Sequence, residues 1–167
     1  NDTFIELQAS TPCDEVMKSM LHIKESGVID FIRWNLVLAP NHSFELNIKY
    51  GESKPNTLGF VIEYKQEIKG TYRTQKSSAP KGDIYQLSAA NSDLRLSLLK
   101  LNENLFHLLD PDQQLMVGNG GWSYSLNRKN PTRQKATFPT LATATLTKAT
   151  SYVAVFDGRT PCTELAN

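Results

Sequence analysis

The chain of 167 residues has two cysteines, a formal charge of only +1 and no long apolar run. Nothing in it approaches the ~20 consecutive apolar residues that carry a helix across a bilayer. Cys13 and Cys162 allow one disulfide or two free thiols. Neither has a second Cys or a His three or four residues further on, so the spacing carries no zinc logic. Eighteen basic residues face 17 acidic ones, and neither half of the chain is strongly basic. That balance argues against nucleic acid as a partner. The start, Asn1-Asp2-Thr3-Phe4, has neither a basic nor an apolar leader region, so a signal peptide has been removed or never existed. Gly-x-Ser-x-Gly, His-Glu-x-x-His and P-loop patterns are also missing. Gly118-Asn119-Gly120-Gly121 is turn chemistry, and Asp110 and Asp112 flank Pro111 in a turn, where acids cap and solvate. The chain therefore reads as a non-enzyme without a cofactor.

What is present is alternation. Hydrophobic content of 40% and charged content of 21% are ordinary for a soluble globule. The length suits one domain, or one plus a piece of a second. Ile32, Trp34, Leu36 and Leu38 alternate with Arg33, Asn35, Val37 and Ala39. After Pro40-Asn41-His42 the period resumes at Phe44, Leu46, Ile48 and Tyr50. Period two is the mark of strands with one buried face, and the short polar break predicts a hairpin. Leu58, Phe60, Ile62 and Tyr64 continue it, then Ile68, Gly70 and Tyr72. A Ser/Lys/Pro-rich loop is expected from Gln75 to Gly82. Beyond it come Ile84 to Leu87, Leu94 to Leu98, Asn104 to Leu109, Leu115 to Val117, and Trp122 to Leu126. Nine or ten short strands at this spacing predict an all-β antiparallel barrel or sandwich.

One segment breaks the rule. From Cys13 to Ile23, apolar residues recur at three and four, predicting a short helix packed by Val16, Met17 and Met20 and ended by Gly27. It would close one end of the barrel. Residues 131–150 are rich in Thr and Ala and read as a linker after a barrel domain over 1–130. The terminal stretch then echoes the start. Tyr152 to Leu165 contains a strand, Thr160-Pro161-Cys162 and Glu164, as Thr3 to Val16 contains a strand, Thr11-Pro12-Cys13 and Glu15. This predicts that 151–167 opens a second, truncated repeat. Its strand, 152–157, would need a partner, either the first barrel or a neighbouring molecule.

From Thr11-Pro12-Cys13 onward, the order of motifs resembles a known family. Those residues, Gly70-Thr71-Tyr72, Ile84-Tyr85-Gln86-Leu87, Leu108-Leu109-Asp110 and Trp122-Ser123-Tyr124-Ser125-Leu126 follow one another as in the N-terminal domain of NlpE-type envelope lipoproteins. Phe156-Asp157-Gly158-Arg159-Thr160-Pro161-Cys162 resembles that domain's opening. The family is linked to copper resistance and envelope-stress signalling. The resemblance covers 3 to about 128, plus 152–167. It implies a lipocalin-like barrel, a periplasmic or envelope location, and a parent protein anchored by lipid, the one route to a membrane. The family's Cys-x-x-Cys is broken here by Val16 and Leu165, so dithiol redox chemistry does not carry over.

Three sets of residues are candidate sites. Trp34, Leu36, Phe44, Leu46, Phe60, Ile62, Leu96, Phe106, Trp122 and Tyr124 are expected to face inward. About eight strands leave room for side chains or one small hydrophobic ligand, and this many large groups favour a filled interior. Cys13 and Cys162, if bridged, would close a long loop worth ~4–5 kcal/mol. Met17, Met20 and His22 form a soft, copper-type ligand string, but His22 falls away from the methionine face of a helix. His42 in a turn and His107 in a strand lack a nearby partner in sequence. Three functions follow: envelope sensing or protein contact, carriage of a small hydrophobic molecule, and copper handling. The partner for the first is another envelope protein or a second copy.

Overall fold

The computed structural model describes residues 4–57, 59–78 and 80–130. By its contacts the chain divides into Asn1–Arg133 and Gln134–Asn167. The expected linker, second repeat and 152–157 strand fall outside the described residues, as do Cys162 and Leu58.

Eight strands form a closed antiparallel barrel in sequence order: β1 (Ile5–Pro12), β2 (Phe31–Leu38), β3 (Ser43–Ser53), β4 (Phe60–Ser78), β5 (Lys81–Ala89), β6 (Arg95–Asn102), β7 (Leu105–Leu109) and β8 (Ser125–Arg128). Strand β8 closes on β1 through Leu7↔Arg128 and Gln8↔Asn127. The one helix among the described residues, α1 (Glu15–Leu21), follows β1 as the sequence predicts. None of the described helices is long and apolar enough to cross a membrane.

Residues directly opposite across a ladder share a face. Leu7, Leu36, Leu46 and Ile68 are opposite one another in turn across β1 to β4, and all are buried. Trp34, Phe44, Leu96, Phe106, Leu108, Tyr124 and Leu126 belong to the same contiguous apolar cluster, so large side chains fill the interior. Trp34 donates from Nε1 to Thr11 Oγ1 at 2.8 Å, which satisfies its one polar group inside the core.

Strand count and helix length differ from expectation for local reasons. The two strands expected over 58–64 and 68–72 are one strand of 19 residues, β4, because Lys65-Gln66-Glu67 keeps the alternation: Gln66 sits opposite Ile48, and Lys65 opposite Lys49. The expected 75–82 loop is mostly hairpin. Backbone pairs such as Gln75↔Ile84 and Lys76↔Asp83 form there although Gln75 and Lys76 are exposed, and Ile84 is buried against Leu99 and Leu109. Leu115 to Val117 makes only a single bridge, Leu109↔Leu115. Helix α1 starts where Asp14 accepts from Met17 N at 2.8 Å. It ends at His22, which takes a left-handed conformation (φ 55°), well short of Gly27. Met17 and Leu21, four apart, are the buried pair that joins the helix to the core cluster. Val16, expected in that face, is 43% exposed.

Candidate functional site

With the interior filled, the shaped surfaces lie outside. On β2 the residues between the inward ones, Phe31, Arg33 and Asn35, face outward. Phe31 stacks on Phe60 (ring centroids 4.4 Å apart, 13° between planes) and on Trp122 (5.1 Å, 10°). The Arg33 guanidinium lies over two of these rings, 5.9 Å from the Phe31 centroid and 5.7 Å from that of Phe60.

Each ring is placed by local chemistry. Phe31 is opposite Gly51 in the ladder; a Cβ on Gly51 would meet Ile62 O at 1.9 Å and the Phe60 ring at 3.5 Å. Strand β4 thus comes closer here than any side chain would allow. The ladder is irregular beside this point, between Gly51 and Ser53, with Val61 and Ile62 lying opposite Glu52 alone. The extra residue shifts the alternation and turns Phe60 outward. Asp30 holds the irregularity: its N–H donates to Gly51 O at 3.0 Å, and its carboxylate accepts from Ser53 N at 2.6 Å. Trp122 stands on a turn built by Asn119, whose Oδ1 accepts from Gly121 N and Trp122 N at 2.9 and 2.8 Å.

Arg33 also borders a groove of about 610 Å³ across β8, β1, β2 and β3. Its floor is a row of carboxamides. Asn127, Gln8, Asn35 and Asn47 are opposite one another in turn, one from each strand. Asn47 donates to Glu45 at 3.0 Å, whereas Asn35 Oδ1 is buried with no hydrogen-bond partner. Lys49 and Arg33 supply positive charge, and Lys49 also pairs with Glu63 at 3.2 Å. Amides that both donate and accept, beside stacked rings under a guanidinium, suit a polar partner with apolar patches.

The sequence-expected site residues divide. Trp34, Leu36, Phe44, Leu46, Leu96, Phe106 and Tyr124 face inward and are buried. Phe60 and Trp122 do not line the interior; they are the outer members of the aromatic stack. Ile62 is 55% exposed, displaced by the irregularity in β4. Cys13 is a free, buried thiol, pushed up to about 11 chiefly by burial, which disfavours the thiolate. Its proposed partner, Cys162, lies outside the described residues. Met17 is wholly within the core, while Met20 and His22 border a separate cleft. The described residues contain no cluster of three His, Cys, Asp or Glu side chains able to hold a metal. His107 bridges Ser125 Oγ (2.9 Å) and Met116 O (2.8 Å). The carbonyl requires the proton on Nε2, and both ring nitrogens are taken up by structural hydrogen bonds.

No family model, curated protein or solved structure matches this chain. Its chemistry therefore has to be read from its own residues. Phe31, Arg33, Gln8, Asn35, Asn47 and Asn127 escaped the sequence reading. The signal available was the occupancy of outward positions by Asn35 and Asn47 where charges are the rule. Their alignment into one row with Gln8 and Asn127 needs the register of four strands.

Proposed function

We propose that the chain is a non-enzymatic domain of an extracytoplasmic, lipid-anchored envelope protein, of the kind that the NlpE-type resemblance implies. It acts in envelope sensing by contact with another protein. The observation that carries this reading is the outward stack of Phe60, Phe31 and Trp122 under Arg33, next to the carboxamide groove. Aromatic rings and arginine are the residues that dominate protein contacts. What favours contact over carriage of a hydrophobic molecule is the packing of the inward side chains into one cluster. The NlpE-type assignment itself rests on the order of the sequence motifs.

The test places a photo-crosslinking amino acid at Trp122 and, as a control, at Lys76 on the far hairpin, in envelope-localised protein. The expected result is one discrete protein adduct from position 122, none from position 76, and loss of the adduct in a Phe60→Ala background. No adduct, or the same adduct from both positions, overturns the contact reading. Native mass spectrometry after mild purification supplies the second arm: a retained lipid would turn the assignment to carriage, and bound copper to metal handling.

A further inference from the structure

We infer that the outer face of β4, β5 and β6 carries an oxyanion site, built by Arg73 and Arg95 and suited to a phosphate monoester. The two arginines border one pocket of about 220 Å³, together with Thr71, Gln86 and Ser88. The ladder sets this arrangement. Thr71, Ser88 and Arg95 are opposite one another in turn across the three strands, and Arg73 is opposite Gln86 one pair further along. All of these positions alternate with the inward-facing Tyr72 and Leu87, so their side chains share the outer face.

Lys18, Lys49, Lys65, Lys69, Lys100 and Lys129 each pair with a carboxylate at 4 Å or less. Arg73 and Arg95 make no ion pair among the described residues, and no carboxylate borders the smaller of the two pockets that both of them line. Lys24, Lys54, Lys76 and Lys81 make no ion pair among the described residues either; what sets Arg73 and Arg95 apart is that they meet at one pocket. The larger cleft of about 360 Å³ is bordered by the same two arginines and also by Asp93 and Asp110, neither of which pairs with them at 4 Å or less. Each guanidinium spends one donor on a cross-strand bond: Arg73 Nε to Gln86 at 3.0 Å, and Arg95 Nη1 to Ser88 at 3.5 Å. A guanidinium has five donors, so most remain for a ligand.

A cross-strand structural role would use those two bonds and no more. Two like charges brought to one pocket repel, and a bound anion removes that cost. Donors converging from three strands fit a tetrahedral anion better than a planar carboxylate, which a single arginine fork satisfies. The phosphate could be free in solution or the headgroup of a phosphomonoester lipid. The shared chemistry is the dianionic PO₃ group.

The experiment uses the full chain. Inorganic phosphate is titrated by calorimetry at constant ionic strength, and co-flotation is measured with vesicles of phosphatidylcholine with and without phosphatidic acid. Binding of phosphate or of phosphatidic acid vesicles, weakened tenfold or more in Arg73→Gln and in Arg95→Gln but unchanged in Lys76→Gln, supports the site. Partial retention in Arg73→Lys, which keeps the charge and loses the fork, supports it further. Capture of the vesicles alone identifies a lipid headgroup, and of phosphate in solution a free anion. Absence of both, or equal binding by the Arg73→Gln/Arg95→Gln double variant with an unchanged thermal midpoint, overturns the inference.

Discussion

The hydrogen bond between Trp34 and Thr11 offers a quantitative test of the filled barrel. Both residues are buried, at 2% and 0% exposure, and the indole N–H reaches Thr11 Oγ1 at 2.8 Å. Thr11→Val keeps the side-chain shape and its preference for a strand but removes the acceptor. The N–H is then left without a partner where water cannot follow, at a cost of about 1–3 kcal/mol. Burying a methyl in place of the hydroxyl recovers part of this, so a net loss of about 1–2 kcal/mol is expected. Trp34→Phe removes the donor and leaves a void in a packed interior, a larger and separate loss. The informative quantity is the coupling. In the Trp34→Phe background no N–H remains to be orphaned, so Thr11→Val should become nearly neutral there, giving a coupling of about 1–2 kcal/mol. Urea unfolding followed by far-ultraviolet circular dichroism measures all four chains without relying on tryptophan fluorescence. An equal cost for Thr11→Val in both backgrounds would refute the argument that this bond satisfies the tryptophan inside the core.

Other expectations follow from the same geometry. Gly51→Ala should lower stability by more than about 1 kcal/mol in thermal denaturation, because its Cβ would meet Ile62 O at 1.9 Å. It should also disturb the Phe31–Phe60 stack, read by near-ultraviolet circular dichroism. Asp14→Ala removes the cap on Met17 N and should cost about 1 kcal/mol, with Asp14→Ser recovering most of it. Alkali should destabilise the fold. Burial raises Cys13 from 9.0 to about 11, and burial together with the hydrogen bond to Glu25 raises Tyr50 from 10.0 to about 12. Between these values the unfolded chain releases protons that the folded chain retains, so stability contributed in full below pH 9 is lost as pH rises towards 12. Cys13→Ala should flatten the part of that loss between pH 9 and 11, measured by urea unfolding across the range.

Much of the scaffold was readable because period two is a local property. The alternation through Trp34, Leu36, Phe44 and Leu46 named inward residues without knowledge of any partner strand, and those residues are buried together. The short helix after the first strand was legible from Met17 and its three- and four-residue spacings. Its true end was not, since His22 is an uncommon left-handed terminator and Gly27 a common one. Phe60 and Trp122 were assigned inward by the same rule, and here it failed. The alternation is reset by the extra β4 residue beside Gly51, and Trp122 stands on a turn rather than a strand.

The amino-acid sequence by itself determined which face of most strands turns away from water, because each strand carries that information in its own alternation. Only the tertiary structure decided which outward residues meet. The row of Asn127, Gln8, Asn35 and Asn47, the ring stack beneath Arg33, and the pocket shared by Arg73 and Arg95 each join residues from three or more segments. Their meeting depends on strand register, and a one-residue slip would turn those of these side chains that stand on strands to the opposite face.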